Sequence, residues 1–576
     1  MTSSYPRFLL WCVLGMALWI NYQTWVHDYG PVPGTGSPSE TARSAGSPGG
    51  SAPGLGFSVP RASGGAGEAA GEGTRQGAVS ASTPAAGAAP AVPEGPTIGV
   101  HTDVLSVRIS LEGGTLVQAD LLKYPLVKGK PEPVQLENRA SPSTLYVLQS
   151  GLTGPGSEPR PTHLASFTSA GTDYGLADGS DELRVPLTWT DGHGVTVTKT
   201  FVFHRGKYQI GLQQTVDNRG DTPWQAAPYA QILRYDVPIH TSYFSDPSER
   251  YSFRGPALYD GTKYRTLKVS SADNQHLALD VTDGWLAAPQ HDFVSAVVPP
   301  SGEPYRYTLN VDGDEFALAT AGPEQTVSPG ATASFDFRLF VGPTLNSQLA
   351  ATAPHFDLVA NYGKFTFLAK PLFWLLEQVH GLLHNWGLAI IVVTFLLKLA
   401  LYPLSEASFR TTAKMRLLGP RIKALQETYK DDKEKSTRAV LDLYKREKAN
   451  PAAGCLPMLV QVPIFFAYYY VLLGSVEMRQ APFFGWIQDL SSRDPYFILP
   501  ALMAAASFVQ FKISPTTADP KQQKMMMLMP IPMSALFAFF PAGLVLYYLT
   551  NSVLSIAQQW NINRRVEAAA ARKKQS

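Results

Sequence analysis

Residues 387–404 read GLAIIVVTFLLKLALYPL, and this stretch decides the class of the protein. Lys398 is its one charged residue, and its length approaches the ~20 helical residues that cross the hydrocarbon core of a bilayer. It therefore predicts a transmembrane helix. A charged group inside such a helix costs about 2.5 to 3.5 kcal/mol on insertion scales, which makes Lys398 a functional candidate. Alternatively, its long side chain reaches the interface from roughly 9 Å deep, since it precedes Leu404 by six residues.

Further apolar stretches lie on both sides of this one. They cover residues 8–20, 455–473, 496–511 and 525–556. The last is too long for one crossing, and Phe540-Pro-Ala-Gly543 suits a tight turn that divides it into two paired helices. The prediction is a polytopic α-helical membrane protein with six transmembrane helices. Residues 1–27 would form an uncleaved anchor. A cleaved signal peptide is the alternative, although no small-x-small site follows the apolar run.

Prolines occur in three of the later spans. They are Pro457, Pro463, Pro500, Pro530 and Pro532. Because proline has no backbone N–H and clashes with the preceding turn, these residues predict interrupted, kinked helices.

The segment between the anchor and the remaining spans changes composition twice. Residues 28–97 are mostly Gly, Pro, Ala, Ser and Thr, so they predict a disordered linker that isolates the following domain mechanically. Residues 98–345 contain alternating runs such as Val104-Leu-Ser-Val-Arg-Ile-Ser-Leu111, separated by turn residues, and predict an all-β sandwich. Cys12 and Cys455 are the only cysteines, so this domain has no disulfide framework.

Charge predicts the orientation in the membrane. Lys and Arg number 48 against 46 Asp and Glu, so the net charge of +2 provides no global basic field for nucleic acid. Basic residues concentrate instead in segments 405–454, 512–524 and 561–576, whereas segment 474–494 has only Arg479 and Arg493. The positive-inside rule then places both termini in the cytoplasm and the β domain outside.

Three segments are predicted to be helical outside the bilayer core. Residues 361–385 have apolar residues at helical spacing and predict an amphipathic helix on the membrane surface. Its His380 and His384 lack a third ligand, so no metal site is predicted. Residues 405–454 predict a helical hairpin with a break near Lys430–Lys433. The hairpin and the basic tail, residues 561–576, are either solvated structure or contacts for anionic lipid or ribosomal RNA.

Polar residues from three spans fall in neighbouring layers when depth is counted at 1.5 Å per residue. They are Thr394, Lys398, Gln461, Tyr548, Asn551 and Ser552. One polar residue in a span usually joins helices, whereas this stack predicts a hydrated groove that opens to the cytoplasm and closes before the outer face. No hydrolase, metalloprotease, P-loop or dinucleotide motif occurs, so neither catalysis nor a cofactor is predicted.

Three strings are similar to one known family. They are Ala413-Lys-Met-Arg-Leu-Leu-Gly-Pro-Arg-Ile-Lys423, Asn450-Pro-Ala-Ala-Gly-Cys-Leu-Pro-Met-Leu-Val-Gln-Val-Pro-Ile-Phe465 and Phe540-Pro-Ala-Gly-Leu-Val-Leu-Tyr-Tyr548. The sequence resembles the YidC membrane protein insertases, in their Gram-negative form with a large periplasmic domain. The resemblance implies a five-helix insertase core over residues 386–560 of a bacterial inner-membrane protein. This sequence departs from the common pattern in having Lys398 where members more often have Arg. Lysine preserves the charge but lacks arginine's planar fork for carboxylates.

The function implied is insertion of transmembrane segments of nascent membrane proteins, alone or with the Sec translocon, through the groove that Lys398 lines. Membrane lipids and, through the tail and hairpin, the ribosome are the further expected partners. A small-solute transporter or channel is the alternative, but transporters typically build midplane sites from repeats, and no internal repeat is evident.

Overall fold

The computed structural model describes residues 95–156, 159–236, 253–275, 277–360, 365–430, 432–447, 456–513, 528 and 530–575. The predicted anchor and the linker up to residue 94 lie outside these ranges. The first described strand begins at Thr97, one residue before the predicted start of the β domain.

Strands make up most of the region up to Pro343. They are β1 Thr97–His101, β2 Leu105–Ser110, β3 Thr115–Pro125, β4 Pro133–Gln135, β5 Tyr146–Thr153, β6 Asp173–Gly175, β7 Glu182–Thr190, β8 Val195–His204, β9 Gln209–Asn218, β10 Trp224–Tyr235, β11 Ala257–Tyr259, β12 Tyr264–Thr266, β13 Ala278–Thr282, β14 Trp285–Gln290, β15 Phe293–Val298, β16 Pro304–Asp312, β17 Glu315–Ala321, β18 Gln325–Val327 and β19 Thr332–Pro343. One sheet has the order β13-β16-β17-β10-β5-β3-β2-β1-β6, with β18 beside β10 and β4 beside β3. The other has the order β12-β11-β14-β15-β19-β9-β8-β7.

Alternating apolar residues set the register of these strands. In the antiparallel pair β8 and β9, Val197 opposes Val216 and Phe201 opposes Leu212. All four side chains are buried, and their neighbours along each strand are more exposed. A one-residue slip would turn the apolar row toward solvent, so the pattern specifies one pairing. The predicted all-β sandwich is confirmed.

Two buried polar side chains join the sheets. Tyr146 of the first sheet donates from its hydroxyl to the Ala288 carbonyl of the second at 2.5 Å. Lys199, inward-facing on β8, donates from Nζ to the carbonyls of Gly113 at 2.6 Å and Ser150 at 2.8 Å. Burial lowers the pKa of Lys199 to about 7.

Helices dominate the rest of the described chain. They are α1 Ala272–Gln275, α2 Asn346–Thr352, α3 Thr366–Leu383, α4 Trp386–Ala400, α5 Tyr402–Leu417, α6 Gly419–Thr428, α7 Lys433–Arg446, α8 Leu456–Gly474, α9 Ile498–Ile513, α10 Pro530–Phe537 and α11 Ala542–Gln575. Short 3-10 turns cover Pro142–Thr144, Phe356–Val359 and Val476–Met478. The helix α3 lies within the predicted surface helix. It buries Ala369, Leu372, Phe373 and Leu376 and exposes Phe367, Trp374 and Leu382.

The first predicted core span ends earlier than its apolar sequence. The side chain of Asn385 caps α4 by accepting from the Leu388 N–H at 3.0 Å. The helix ends at Ala400, and α5 leaves it at 68°. Pro403 explains the break, because it has no N–H for the Leu399 carbonyl and its ring crowds the preceding turn. The expectation of one helix through Leu404 is therefore wrong, and Lys398 lies in the last turn of α4.

The structure places two of the predicted prolines clearly. Pro463 lies in the interior of α8, as predicted, whereas Pro500 lies in the first turn of α9, where a backbone N–H has no intrahelical partner. The expectation of an interrupted helix is therefore wrong for α9. Pro457, Pro530 and Pro532 lie in helical segments that border residues outside the described ranges, so for them the interruption stays a prediction.

The last helix is longer than predicted. Helix α10 ends at Phe537, and α11 begins at Ala542, so the chain turns at the Phe540–Gly543 segment. α11 has 34 residues, about 51 Å at the helical rise. The predicted basic tail is thus a continuation of α11 rather than a separate segment.

Within the described ranges, no helix is by itself both long and apolar enough to cross a bilayer. By length and composition, the bent pair Trp386–Ala400 and Tyr402–Met415 meets that test together, and Leu459–Gly474 and Ile498–Ile513 are shorter apolar helices.

The segment between α8 and α9, residues 475–497, is here named the cap loop, and it contacts the β domain. Arg479 donates from Nη1 to the Pro125 carbonyl at 3.0 Å, and Gln480 donates from Nε2 to the same oxygen at 3.1 Å. Lys128 donates from Nζ to the Gln480 carbonyl at 2.9 Å. These bonds contradict the expectation that the β domain is mechanically isolated.

Candidate functional site

The charged residue of α4 is held by α11. Lys398 donates from Nζ to the Ser555 hydroxyl at 2.8 Å, and Ser555 donates in turn to the Asn551 carbonyl at 2.7 Å. Ser555 is buried and Lys398 is half-buried. Among the described ion pairs, none involves Lys398, so its described partner is neutral. The positive charge is thus positioned without being neutralised.

A second polar cluster lies among α4, α8 and α11. The Thr394 hydroxyl donates to the Ile390 carbonyl at 2.6 Å and lies 3.4 Å from the Tyr468 hydroxyl. The Tyr468 ring stacks on the Tyr547 ring at 4.1 Å, and Gln461 donates from Nε2 to the Tyr547 hydroxyl. Thr394 and both tyrosines are buried, whereas Gln461 is half-buried. Gln461 is therefore the partly accessible member of this cluster.

The remaining predicted groove residues lie on α11. Ser552 is buried, and Asn551 is half-buried with its carbonyl bonded to Ser555. The half-buried Tyr548 places its ring 5.1 Å from that of Phe537 on α10. Lys398 thus lies beside the part of α11 that contains Asn551. Thr394 lies beside α8, the helix that contains Gln461. Tyr548 faces an aromatic neighbour instead.

Three residues of these clusters were not predicted from the sequence. They are Tyr468, Tyr547 and Ser555. A signal for Ser555 existed. Polar residues recur on α11 every four positions, at Asn551, Ser555, Gln559 and Asn563, and the last three are buried. That spacing puts them on one face of the helix. Tyr468 and Tyr547 had no comparable signal, because tyrosine also occurs in ordinary apolar packing.

The cap loop covers the end of this helix group at which α11 begins. The Ala542 N–H donates to the Ser492 carbonyl at 2.7 Å, and the Gly543 N–H donates to the Leu490 carbonyl at 2.9 Å. These bonds give partners to two N–H groups in the first turn of α11. Phe483 packs over Gly387, where an added Cβ would approach the ring to 2.1 Å. Close backbone and ring packing therefore closes this end.

Buried carboxylates organise the cap loop itself. Asp494 accepts from the Leu499 N–H at 2.6 Å and from the Trp486 indole N–H at 3.1 Å. Burial raises the pKa of Glu477 to about 7, and the nearby Glu377 and Asp292 carboxylates raise it further. In the part of the chain that the structure describes, no three His, Cys, Asp or Glu side chains are grouped to hold a metal ion.

The basic hairpin has a small core of its own. α6 ends at Thr428 and α7 begins at Lys433, on either side of the segment predicted to break. Leu418 and Ile422 are buried against partly buried side chains of α5 and α7. Arg421 pairs with Glu447 at 2.9 Å, and further along α11 the Arg564 guanidinium lies 4.1 Å from the Trp560 ring centroid.

Comparison with known proteins covers most of the chain. A family model described as the YidC periplasmic domain matches residues 97–375, and one described as the 60Kd inner membrane protein matches residues 378–570. The membrane protein insertase YidC of Thioalkalivibrio sulfidiphilus is 46% identical over 492 residues, 84% of this chain and 87% of that protein. The membrane protein insertase YidC of Nitrosococcus oceani is 42% identical over 566 residues, 97% of this chain and 99% of that protein.

A solved structure also aligns with the chain. It is described as an active YidC insertase crystal structure with the first transmembrane domain resolved, and it covers 81% of this chain and 93% of that chain. The identity is 20% and the TM-score 0.37, a score too low to bear on the details of the fold.

Proposed function

The chain belongs to the YidC family of membrane protein insertases, and from this premise we propose how its two polar clusters act on a client. It is a bacterial inner-membrane protein with a periplasmic β-sandwich domain. In our proposal both termini are cytoplasmic, and α4, α8 and α11 form the walls of a groove that is open to the cytoplasm and to lipid. Phe483 and Leu490 close it on the outer side.

The observation that carries the proposal is the setting of Lys398. Its ammonium lies at the end of an apolar helix with a hydroxyl, not a carboxylate, as its described partner. Charged groups in apolar surroundings attract water and counter-charge, because their desolvation is costly. Lys398 therefore keeps the groove hydrated and offers an acidic client segment a positive charge, while Ser555 restricts where that charge lies.

The second cluster supplies the polar wall. The half-buried Gln461 and Asn551 provide neutral donors and acceptors at which a client's polar tail exchanges hydrogen bonds with water for bonds with protein, while the buried Thr394 and Ser552 make the wall behind them polar. The client's apolar helix then partitions into lipid, with about 25 cal/mol gained for each Å² removed from water. This driving force requires neither a cofactor nor catalysis by the chain.

Partners beyond the client follow from charge and family. We propose cooperation with the Sec translocon, which the insertase family implies. The exposed Arg565 and Arg572 on the cytoplasmic extension of α11, together with the basic hairpin, provide a surface for ribosomal RNA or anionic lipid.

Site-specific crosslinking tests the groove directly. Tyr548 and Tyr496 are each replaced by a photoreactive phenylalanine, which preserves ring size at both positions. Tyr548 is half-buried on the proposed wall, and Tyr496 is 69% exposed on the cap loop. The polar tail of a ribosome-stalled client, before its release into lipid, should crosslink at position 548 and not at 496. Equal crosslinking at both positions, or none at 548, would remove the groove from the proposal.

A further inference from the structure

The β domain carries an exposed apolar turn between β3 and β4. Residues 122–130, here named the tip, reverse at Val127–Lys130, where the Lys130 N–H donates to the Val127 carbonyl at 3.0 Å and Gly129 has a φ of 79°. Leu126 is 57% exposed and Val127 is 49% exposed. Leu122 is exposed as well. A single exposed aliphatic residue is ordinary, but Leu126 and Val127 adjoin at the turn and Leu122 lies close before it on β3.

The backbone of the tip is fixed to the cap loop. Arg479 donates to the carbonyls of Pro125 at 3.0 Å and Leu126 at 3.3 Å, and its guanidinium lies 3.9 Å from the Asp292 carboxylate. Lys128 donates to the carbonyls of Gln480 and Gln488. These bonds engage the carbonyls of Pro125 and Leu126 and the ammonium of Lys128. The side chains of Leu126 and Val127 remain exposed.

The position of the cap loop indicates where the tip lies relative to the membrane surface. This loop connects the apolar helices α8 and α9 and covers the first turn of α11, so it lies where those helices end. It exposes aromatic side chains, with Phe484 at 58% and Tyr496 at 69%. Exposed aromatic rings at the ends of membrane helices are typical of the bilayer interface. The tip is bonded to this same loop.

We propose that the tip is a lipid-binding surface of the periplasmic domain, which inserts Leu126 and Val127 into the outer-leaflet interface beside the cap-loop aromatics. The exposed Lys123 and Lys130 flank these side chains and fit the phosphate level of the lipid. The occupant is lipid because the tip is bonded to the same loop that exposes Phe484 and Tyr496 where the apolar helices end. The β domain is thereby attached to the membrane surface as well as to the chain.

Quenching by brominated lipid tests this surface on the full chain. Cys12→Ser and Cys455→Ser provide the background, and Val127→Cys carries an environment-sensitive fluorophore. Leu164→Cys is the matched control, because Leu164 is a comparably exposed aliphatic residue. The Gly113 N–H donates to the Ala165 carbonyl, which places this segment at the start of β3, whereas the tip follows its end. β3 has 11 residues, about 35 Å in extended form.

In vesicles containing lipids brominated near the carbonyl end of the acyl chain, the label at 127 should lose fluorescence and shift to the blue, and the label at 164 should do neither. No quenching at 127, or equal quenching at both positions, would overturn the proposal. Contact with a second copy of the chain produces no bromine quenching and therefore counts as the first of these outcomes.

The attachment to the cap loop is tested with a pair of charge variants. Arg479→Gln removes the bonds of Arg479 to Pro125 and Leu126 and leaves those made by Gln480 and Lys128. Arg493→Gln removes the same charge from the same loop at an exposed residue whose described backbone partner is Pro541. Quenching at 127 should fall in the Arg479 variant and persist in the Arg493 variant. Unchanged quenching in the Arg479 variant would overturn the role of Arg479 in holding the tip at the membrane surface.

Discussion

The ammonium of Lys398 meets a serine hydroxyl at the end of α4, and that neutral partner determines how the residue should respond to substitution. Lys398→Arg should retain insertion, because arginine preserves the charge. Lys398→Ala should slow insertion of clients with acidic translocated tails by about tenfold, equivalent to ~1.4 kcal/mol. Clients with nearly uncharged tails should be affected least. Insertion rates of a client series with increasing acidic content, in reconstituted vesicles, measure the gradient.

Two variants decide between a groove charge and an interface anchor. If Lys398→Ala and Lys398→Glu both insert acidic-tailed clients at the wild-type rate, the side chain serves only to reach the interface. Ser555→Ala is the matched structural control. It removes the described partner of the ammonium but keeps the charge, so it should affect acidic clients less than Lys398→Ala.

A buried acid in the β domain predicts a pH-dependent stability. Glu137 is fully buried, and the Ser295 hydroxyl donates to its Oε1. Burial raises the pKa of Glu137 to about 8, although the Ser295 bond and the charge of Arg234 oppose the shift. The folded state therefore holds a proton that the unfolded state releases near its ordinary pKa of 4.5. The resulting stabilisation is complete below that value and is lost as pH rises through 8.

Glu137→Gln should remove this dependence while keeping the shape of the side chain. Between about pH 5 and pH 9, the melting temperature of the wild-type chain should fall further than that of the variant, by roughly 2 to 4 °C for each kcal/mol involved. Thermal unfolding of the detergent-solubilised chain, followed by the near-ultraviolet signal, provides the comparison. Parallel melting curves across this range would contradict a buried, protonated Glu137.

At the scale of elements, α11 runs as one helix from the polar clusters to the basic tail, which we propose is cytoplasmic. Its exposed Arg565 and Arg572 should bind ribosomal RNA through salt-sensitive phosphate contacts. Replacing both with glutamine should weaken cosedimentation with ribosomes at low salt, and the effect should disappear at high salt. This change keeps the helix and Arg564, which stacks on Trp560.

The control removes the same charge elsewhere. Arg184→Gln and Arg219→Gln alter two exposed arginines of the β domain, on the side of the membrane away from ribosomes. They should leave cosedimentation unchanged. If the two pairs of substitutions have equal effects, the arginines of α11 serve orientation in the membrane rather than ribosome binding.

Periodic local patterns predicted the elements well, and contacts between distant segments were not predictable. Alternation as in Val195–Phe203 predicted the sandwich, because one face of each strand is buried. The end of α4 was misplaced, since an apolar run continues through the break at Pro403. The stack of Tyr468 on Tyr547 and the bond from Arg479 to Pro125 depend on how separate elements pack, which no local spacing encodes.

At the scale of the whole molecule, the β domain is attached to the helical part without entering its polar clusters. Arg479 and Lys128 join the two, and Lys370 of α3 pairs with Asp357 at 2.5 Å near the junction. These links are at the cap loop and at α3. Each side chain of the Lys398 and Gln461 clusters belongs to α4, α8 or α11. The contacts that attach the β domain are therefore distinct from the contacts that form the polar clusters.

This separation predicts that the β domain is largely dispensable for insertion. Deletion of residues 99–340, with the anchor and the segment from Asn361 retained, should preserve most client insertion because the groove residues and their partners remain. The same deletion should lower the melting temperature of the helical part, since the cap loop loses the bonds to Pro125 and Leu126. Arg479→Gln in the full chain should reproduce part of that loss. Complete loss of insertion by a truncated protein present at normal levels would show instead that the domain takes part in transfer of the client.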